Sequence, residues 1–214
     1  MSANPTTRSA GRTHWERIYG GREPDRLSWY ERTPETSLAW ISRTGVPLDA
    51  AILDAGGGAS GLAGELVRAG YTDVTVADVS ASALERARAA LGEDARRIAW
   101  VRADLRGHDF GRRFDLWHDR AVFHFMVERA DRDAYLATLR RSLCPGGQLI
   151  LATFGPAGPT RCSGLPVRRY GIDRLADLLG PDFAVVSSQL VDHRTPSGEV
   201  QQLLYAQLRR EPSR

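Results

Sequence analysis

Three short apolar segments, each closed by an aspartate, constrain this chain more than any other feature. Ala51-Ile52-Leu53-Asp54 runs into a glycine-rich turn from Gly56 to Gly61, Val74-Thr75-Val76-Ala77 ends at Asp78, and Ile98 to Val101 leads to Asp104. Helical stretches separate them. Leu62, Leu66 and Val67 start one, closed by Gly70; Ser80 caps another, bearing Leu84, Ala87 and Leu91, with Gly92 just beyond. Strands this uniformly apolar must be covered on both faces, so the alternation predicts a parallel, doubly wound α/β sheet. In such sheets ligands sit beyond the carboxyl ends of the strands, where the strand order reverses. A fourth strand is expected from Phe114 to His118 and a helix from Asp131 to Leu143. Pro145-Gly146-Gly147 then turns the chain into a fifth strand, Gln148 to Phe154.

The two ends depart from this rhythm. After a helix around Leu175 to Leu179, two long strand-like runs, Phe183 to Val191 and Val200 to Leu208, flank the hairpin-type turn Thr195-Pro196-Ser197-Gly198, so one of them is antiparallel. At the other end, residues 1–11 read as a loose tail. A short helix with Thr13 as cap and Trp15, Ile18 and Tyr19 on one face is expected to stop at Gly20-Gly21. A second, from near Pro34 with Leu38 and Ile41, stops at Gly45. One domain results: tail 1–11, helical cover 12–49, and the sheet from 50 to 210. The chain's 214 residues, 42% apolar and 26% charged, suffice for one folded core. No apolar run reaches the roughly 18 residues that cross a bilayer, and the start of the chain lacks a secretory pattern. A cytoplasmic protein without membrane contact is expected.

Composition excludes several chemistries. All 29 basic residues are arginine, so neither a Schiff-base lysine nor the lysine of a phosphate-binding Walker loop is available. Cys144 and Cys162 make no disulfide framework and no zinc site. The net charge of +3 is spread over many arginines and 26 acids, so a nucleic-acid partner is not expected.

Gly56, Gly58 and Gly61 satisfy G-x-G-x-x-G, which admits an NAD-dependent oxidoreductase. Asp78, twenty residues past Gly58, can accept both hydroxyls of an unphosphorylated ribose, whether in NAD or in S-adenosylmethionine. Three features favour the second. Asp54 is misplaced beside a pyrophosphate but suits a cationic amino acid tail, Asp104 is placed to accept from the exocyclic amine of adenine, and the terminal hairpin replaces further parallel crossovers.

From about residue 14 to 209 the chain resembles the class I, Rossmann-like S-adenosylmethionine-dependent methyltransferases. Ile52-Leu53-Asp54-Ala55-Gly56-Gly57-Gly58 is similar to their first motif and Val76-Ala77-Asp78-Val79-Ser80 to the ribose-binding motif. Arg102-Ala103-Asp104-Leu105 is similar to the adenine-edge motif, and Leu143-Cys144-Pro145-Gly146-Gly147 to the approach to strand five. Ser60 departs, standing where many members have glycine. The resemblance implies a seven-stranded, mostly parallel sheet with a C-terminal antiparallel hairpin. It also implies S-adenosyl-L-methionine as cofactor and S-adenosyl-L-homocysteine as product. The cofactor contacts implied are Asp54, Ala55, Gly56, Gly57, Gly58, Asp78, Val79, Ala103, Asp104 and Leu105. Arg17, Arg22 or Arg120 would take the methionine carboxylate. Trp15, Trp29 and Tyr30 would form a cover over the sulfonium, whose charge favours aromatic faces; packing of the N-terminal helices is the plainer role for them.

Methyl transfer is a direct in-line displacement whose leaving group needs no acid, so holding the nucleophile at about 3 Å supplies most of the acceleration. A base is needed only for a protonated acceptor, and His118, Asp119 and His124, after strand four, are the groups available. Asp119 is the foremost polar contact, with a simple pair to Arg120 as its alternative. The segment Thr160 to Tyr170, including Cys162, is expected to shape the acceptor pocket. A small-molecule acceptor is expected, with a protein side chain as the variant and a non-catalytic cofactor-binding protein as a further alternative.

Overall fold

The computed structural model describes residues 5–21 and 23–212. Its strands are β1 (Ala51–Ala55), β2 (Asp73–Asp78), β3 (Ile98–Arg102), β4 (Phe114–Arg120), β5 (Leu143–Phe154), β6 (Arg161–Cys162), β7 (Leu165–Pro166), β8 (Phe183–Arg194) and β9 (Val200–Arg210). The helices are α1 (Pro5–Gly21), α2 (Glu35–Arg43), α3 (Leu62–Arg68), α4 (Ala81–Leu91), α5 (Arg129–Ser142) and α6 (Ile172–Leu179). One seven-stranded sheet has the order β3-β2-β1-β4-β5-β9-β8. The first five of these strands pair in parallel, and β9 lies antiparallel between β5 and β8. The order reverses between β1 and β4, so the chain leaves these neighbours toward opposite faces and opens a crevice at their carboxyl ends. The terminal antiparallel pair is the arrangement that separates this sheet from a dinucleotide-binding one.

Successive side chains point to opposite faces of a strand. Leu53, Trp117, Leu149 and Leu151 therefore pack with Tyr135 and Leu139 of α5 and Leu175 of α6. Ile52, Leu116 and Ile150 pack on the other face with Trp40 of α2, Leu66 of α3 and Leu84 of α4. Each such leucine or isoleucine, wholly removed from water, contributes about 1.5–3 kcal/mol. Ser80 caps α4 as its position suggested, accepting a hydrogen bond from the Ala83 N–H at 3.2 Å.

Several boundaries differ from the sequence reading. The helix α1 starts at Pro5 rather than Thr13, so residues 5–11, expected as loose tail, are helical; residues 1–4 lie outside the described residues. Proline is favoured in a helix's first turn because its missing N–H has no partner to lose there. Strand β5 takes in Pro145-Gly146-Gly147, expected as a turn. The extra residues are absorbed by an irregular register opposite Phe114 to Leu116 and by a left-handed Gly146 at φ +79°. The loop after β5 folds into the β6–β7 hairpin, turned by Ser163 at φ +49° and Gly164 at φ +79°.

The end of β4 is pinned to α5 by a buried hydrogen-bond chain. Trp117 Nε1 donates to the Tyr135 hydroxyl at 3.0 Å, and that hydroxyl donates to Asp119 Oδ2 at 2.5 Å. Tyr135→Phe leaves an indole N–H and a carboxylate oxygen short of partners without opening a cavity, and is expected to cost about 1–3 kcal/mol of stability. Urea unfolding checks this: the midpoint should fall at unchanged slope, and an unmoved midpoint refutes it.

Candidate active site

The glycine loop after β1 is shaped by contacts that leave no room for side chains. Gly56 (φ +74°) donates its N–H to the Ala77 carbonyl at 2.6 Å, and a Cβ there would lie 2.1 Å from Val122 Cγ2. A Cβ on Gly57 would lie 2.4 Å from Asp54 Oδ2, and one on Gly58 (φ +52°) 2.5 Å from the Tyr19 hydroxyl and 3.2 Å from Asp78 Oδ2. The backbone thus runs directly over two carboxylates, which only glycine permits. Ser60 closes the loop: its N–H donates to the Gly57 carbonyl at 2.8 Å, and its hydroxyl accepts from the Leu62 N–H at 3.1 Å.

Beyond the strand ends lies a cavity of about 900 Å³. Gly56, Asp78, Val79, Ala103, Asp104 and Leu105, all expected to hold the cofactor, line it together. Asp54 and Gly57 instead border a smaller hollow of about 50 Å³, with Tyr30, Ser37 and His118 on its wall. Trp29 and Arg120 line both spaces and so form their common wall. Ala55 is buried in the core beneath the loop, and Gly58 borders neither space.

Asp78 is almost wholly buried, and its Oδ1 accepts the Ser80 N–H at 2.8 Å. Burial raises its pKa to about 7, against the lowering by hydrogen bonds from the Ser80 and Gly58 N–H groups, and the neighbouring Asp54 charge adds to the rise. Asp104 accepts from Arg106 through Nε at 2.9 Å and Nη2 at 2.8 Å, while Arg106 also reaches Asp131 at 3.2 Å. Arg106 was not anticipated from sequence, although its place two residues past Asp104 suits a local carboxylate fork.

The cover is α1 with the segment after it. Trp15 meets Trp29 at 5.8 Å and Phe125 at 5.0 Å between ring centroids, both edge to face. Trp15 and Trp29 line the large cavity; Tyr30 does not. Helix α1 is fastened by Glu16, which no sequence signal identified. Its carboxylate accepts from the N–H groups of Ala81 (2.8 Å) and Ser82 (3.2 Å), the hydroxyls of Ser80 (3.0 Å) and Ser82 (2.8 Å), and Arg102 (3.1 Å). Burial alone would raise the Glu16 pKa, but the Ser82 hydroxyl and the backbone donors outweigh it and hold the group at about 2. An anion here also meets the positive end of α4.

The three groups expected beside the acceptor all lie off the large cavity's wall. Asp119 is fully buried and caps the turn after β4: Oδ1 accepts from the N–H groups of Val122 (3.0 Å) and Phe123 (3.3 Å), and Oδ2 from Tyr135. Burial lifts its pKa to about 6, against these hydrogen bonds. It does not pair with Arg120, whose Nη2 goes to Glu31 at 2.7 Å and Nη1 to the Trp29 carbonyl at 2.8 Å. His118 joins β4 to β1, bonding Asp54 through Nδ1 at 2.9 Å and Ser37 through Nε2 at 3.0 Å. His124 is buried against Phe154, rings stacked at 4.4 Å, with no hydrogen-bond partner among the described residues; burial and the Arg120 charge push its pKa down to about 3. Polarity in the sequence marked these three, but β4's alternation and the sharp turn at Ala121 (φ +70°) direct them inward. Of the three arginines considered for a carboxylate, Arg17 and Arg120 line the cavity, and Arg22 lies outside the described residues.

The folded protein keeps the Asp78 proton up to about pH 7, whereas an unfolded chain releases it near the ordinary 3.8. This group's contribution to stability is therefore full below pH 4 and is lost as pH rises through 7. Thermal melting from pH 4 to 8 is expected to show that fall in the ligand-free protein, and a shallower one in Asp78→Asn; identical slopes contradict the burial argument.

A methyltransferase-domain family model matches residues 52–147. A comparison with curated protein sequences gives no match. Among solved structures, the chain is similar to the 1,6-didemethyltoxoflavin-N1-methyltransferase of Burkholderia thailandensis, with bound 1,6-didemethyltoxoflavin and S-adenosylhomocysteine. The two share 25% identity at a TM-score of 0.74, over 99% of this chain and 92% of that one. An S-adenosylmethionine-dependent methyltransferase from Anabaena variabilis aligns at 16% identity and a TM-score of 0.76, over 99% and 98% of the two chains. The N-methyltransferase NodS of Bradyrhizobium japonicum, in complex with S-adenosyl-L-homocysteine, aligns at 18% and 0.71, over 94% and 98%. With its strand order, its glycine loop over buried aspartates and a methyltransferase-domain match over residues 52–147, the chain is similar in sequence and fold to the class I, Rossmann-like S-adenosylmethionine-dependent methyltransferases.

Proposed function

We propose that this chain transfers a methyl group from S-adenosylmethionine to a small-molecule acceptor held in the cavity of about 900 Å³. The observation that carries this reading is the convergence of Asp78, Val79 and Asp104 on one hollow roofed by Trp15 and Trp29. The volume lies toward the upper end of the roughly 300–1,000 Å³ of small-molecule sites, leaving space for an acceptor beside a nucleoside. The residues fit the cofactor on their own chemistry. A buried carboxylate faces the hollow where ribose hydroxyls need an acceptor, the loop backbone is bared by glycines, and Arg120 Nε is a buried donor without a described partner.

When bound, S-adenosylmethionine supplies a methyl group on a positively charged sulfur. Asp78 would accept the ribose hydroxyls, Asp104 the adenine amine, and Val79 and Leu105 would pack on the faces of the base. Asp54 would receive the methionine ammonium, held in position by His118 from the neighbouring strand, and Arg120 the carboxylate. With Asp119, His118 and His124 turned away from the cavity, positioning by its walls is the main source of acceleration. The rim carries Arg12 and Arg17, which disfavours a cationic protein side chain as acceptor.

Isothermal titration with S-adenosylhomocysteine tests the reading directly: saturable binding is expected, and no heat at millimolar ligand removes it. Asp78→Ala should weaken that binding by about 1–3 kcal/mol through loss of the ribose acceptor, and unchanged affinity in the folded variant undoes the assignment. Arg120→Met should weaken S-adenosylhomocysteine at least tenfold while leaving 5′-methylthioadenosine, which lacks the amino acid tail, within about threefold of the parent. Equal losses for both ligands would show that Arg120 acts only on the wall's structure.

A further inference from the structure

Four arginines line the large cavity, and their charges are not treated alike. Arg106 is neutralised by Asp104 and Asp131, and Arg120 by Glu31. Arg12 and Arg17, both on α1, have no carboxylate partner among the described residues; Arg17 bonds instead to His14, its Nη2 standing 3.1 Å from His14 Nδ1. A guanidinium only donates, so Nδ1 is the acceptor and the neutral ring carries its proton on Nε2. Burial and the Arg17 charge lower the His14 pKa from its ordinary 6.5, so the ring stays a neutral acceptor that fixes Arg17. The surrounding wall is largely apolar and aromatic: Trp15 and Phe125 meet edge to face, with Met126, Leu165 and Pro166 beside them. Among the acids on the wall, Glu128 is exposed at the start of α5, Asp104 and Asp131 are paired with Arg106, and Asp78 is buried on the floor. The α1 side therefore keeps uncompensated positive charge against an aromatic surface.

We infer that the acceptor half of this cavity takes a planar, apolar molecule bearing an anionic oxygen, with Arg17 as its counter-charge and His14 as the residue that positions that guanidinium. The inference rests on the cofactor reading above, because the methionine carboxylate is the other anion that a cavity arginine would meet. Arg120, on the wall shared with the Asp54 hollow, is the better placed for it. Aromatic walls favour ring contacts, and a guanidinium with no carboxylate partner at the cavity's rim selects by sign of charge.

The test uses the full chain saturated with S-adenosylhomocysteine and two probes of the same shape, 2-naphthoate and 2-naphthylmethylamine, titrated calorimetrically. Naphthoate is expected to bind at least tenfold more tightly than the amine. Arg17→Met and His14→Leu should each bring the two within about twofold, and His14→Asn, whose amide oxygen stands in for Nδ1, should restore most of the preference. In all three variants the affinity for S-adenosylhomocysteine should stay within about twofold of the parent. If S-adenosylhomocysteine binds and naphthoate has no advantage, the acceptor inference alone falls. A tenfold loss of S-adenosylhomocysteine in Arg17→Met also overturns it, by placing that guanidinium on the methionine carboxylate. Failure of the parent protein to bind S-adenosylhomocysteine at all overturns the cofactor reading as well.

Discussion

The contact between Asp54 and His118 holds the two strands from which the chain diverges. These residues are register partners on β1 and β4, at the point where the strand order reverses, and their side chains bond at 2.9 Å inside the core. A buried carboxylate is tolerated only when paired and hydrogen-bonded. Here the imidazole supplies the partner and passes the chain of bonds on to Ser37 and, at 3.3 Å, to the Tyr205 hydroxyl on β9. One polar thread thus ties the first strand to the fourth, to a covering helix and to the last strand. Its oxygen atoms border the loop that has to stay open for a ligand, so the site's acid is held by the fold and not by solvent.

The cover depends on a second local arrangement of charge. Helix α1 packs a short apolar stripe, Ile18 and Tyr19 with partly buried Trp15, against Leu27 and Ala83, and a stripe this short holds a helix only weakly on its own. What fastens it is Glu16, docked on the donors at the start of α4, with Tyr19 buried and Trp15 partly buried beside it. The partners are more than sixty residues apart in the chain. Since α4 follows Asp78 directly, the same helix end that receives the cover also positions the carboxylate on the cavity floor. The start of α4 thus anchors both the cover and the acid on the cavity's floor.

Much of the frame was legible because it rests on short-range rules. The apolar runs ending at Asp54 and Asp78, the capping serine at 80, the closing glycines and the hairpin turn after residue 194 each state a local preference that the folded chain satisfies. The start of α1, the inclusion of Pro145-Gly146-Gly147 in β5 and the small β6–β7 hairpin were not legible. They are decided by what each segment packs against, and local propensity is weak there.

The difference is sharpest among the polar residues near the site. Sequence alone determined that three strand ends carry aspartates, that a bare backbone loop follows the first, and that no lysine is available for other chemistry. Tertiary structure decided which of those charges are free. Asp119 and His124, conspicuous in the sequence, are spent inside the core, whereas Glu16 and Arg106, inconspicuous there, fasten the cover or line the cavity. The physical reason is that a charge's role depends on its partner and its exposure to water. Both are properties of residues brought together from distant parts of the chain, which a pattern of neighbours along the sequence does not encode.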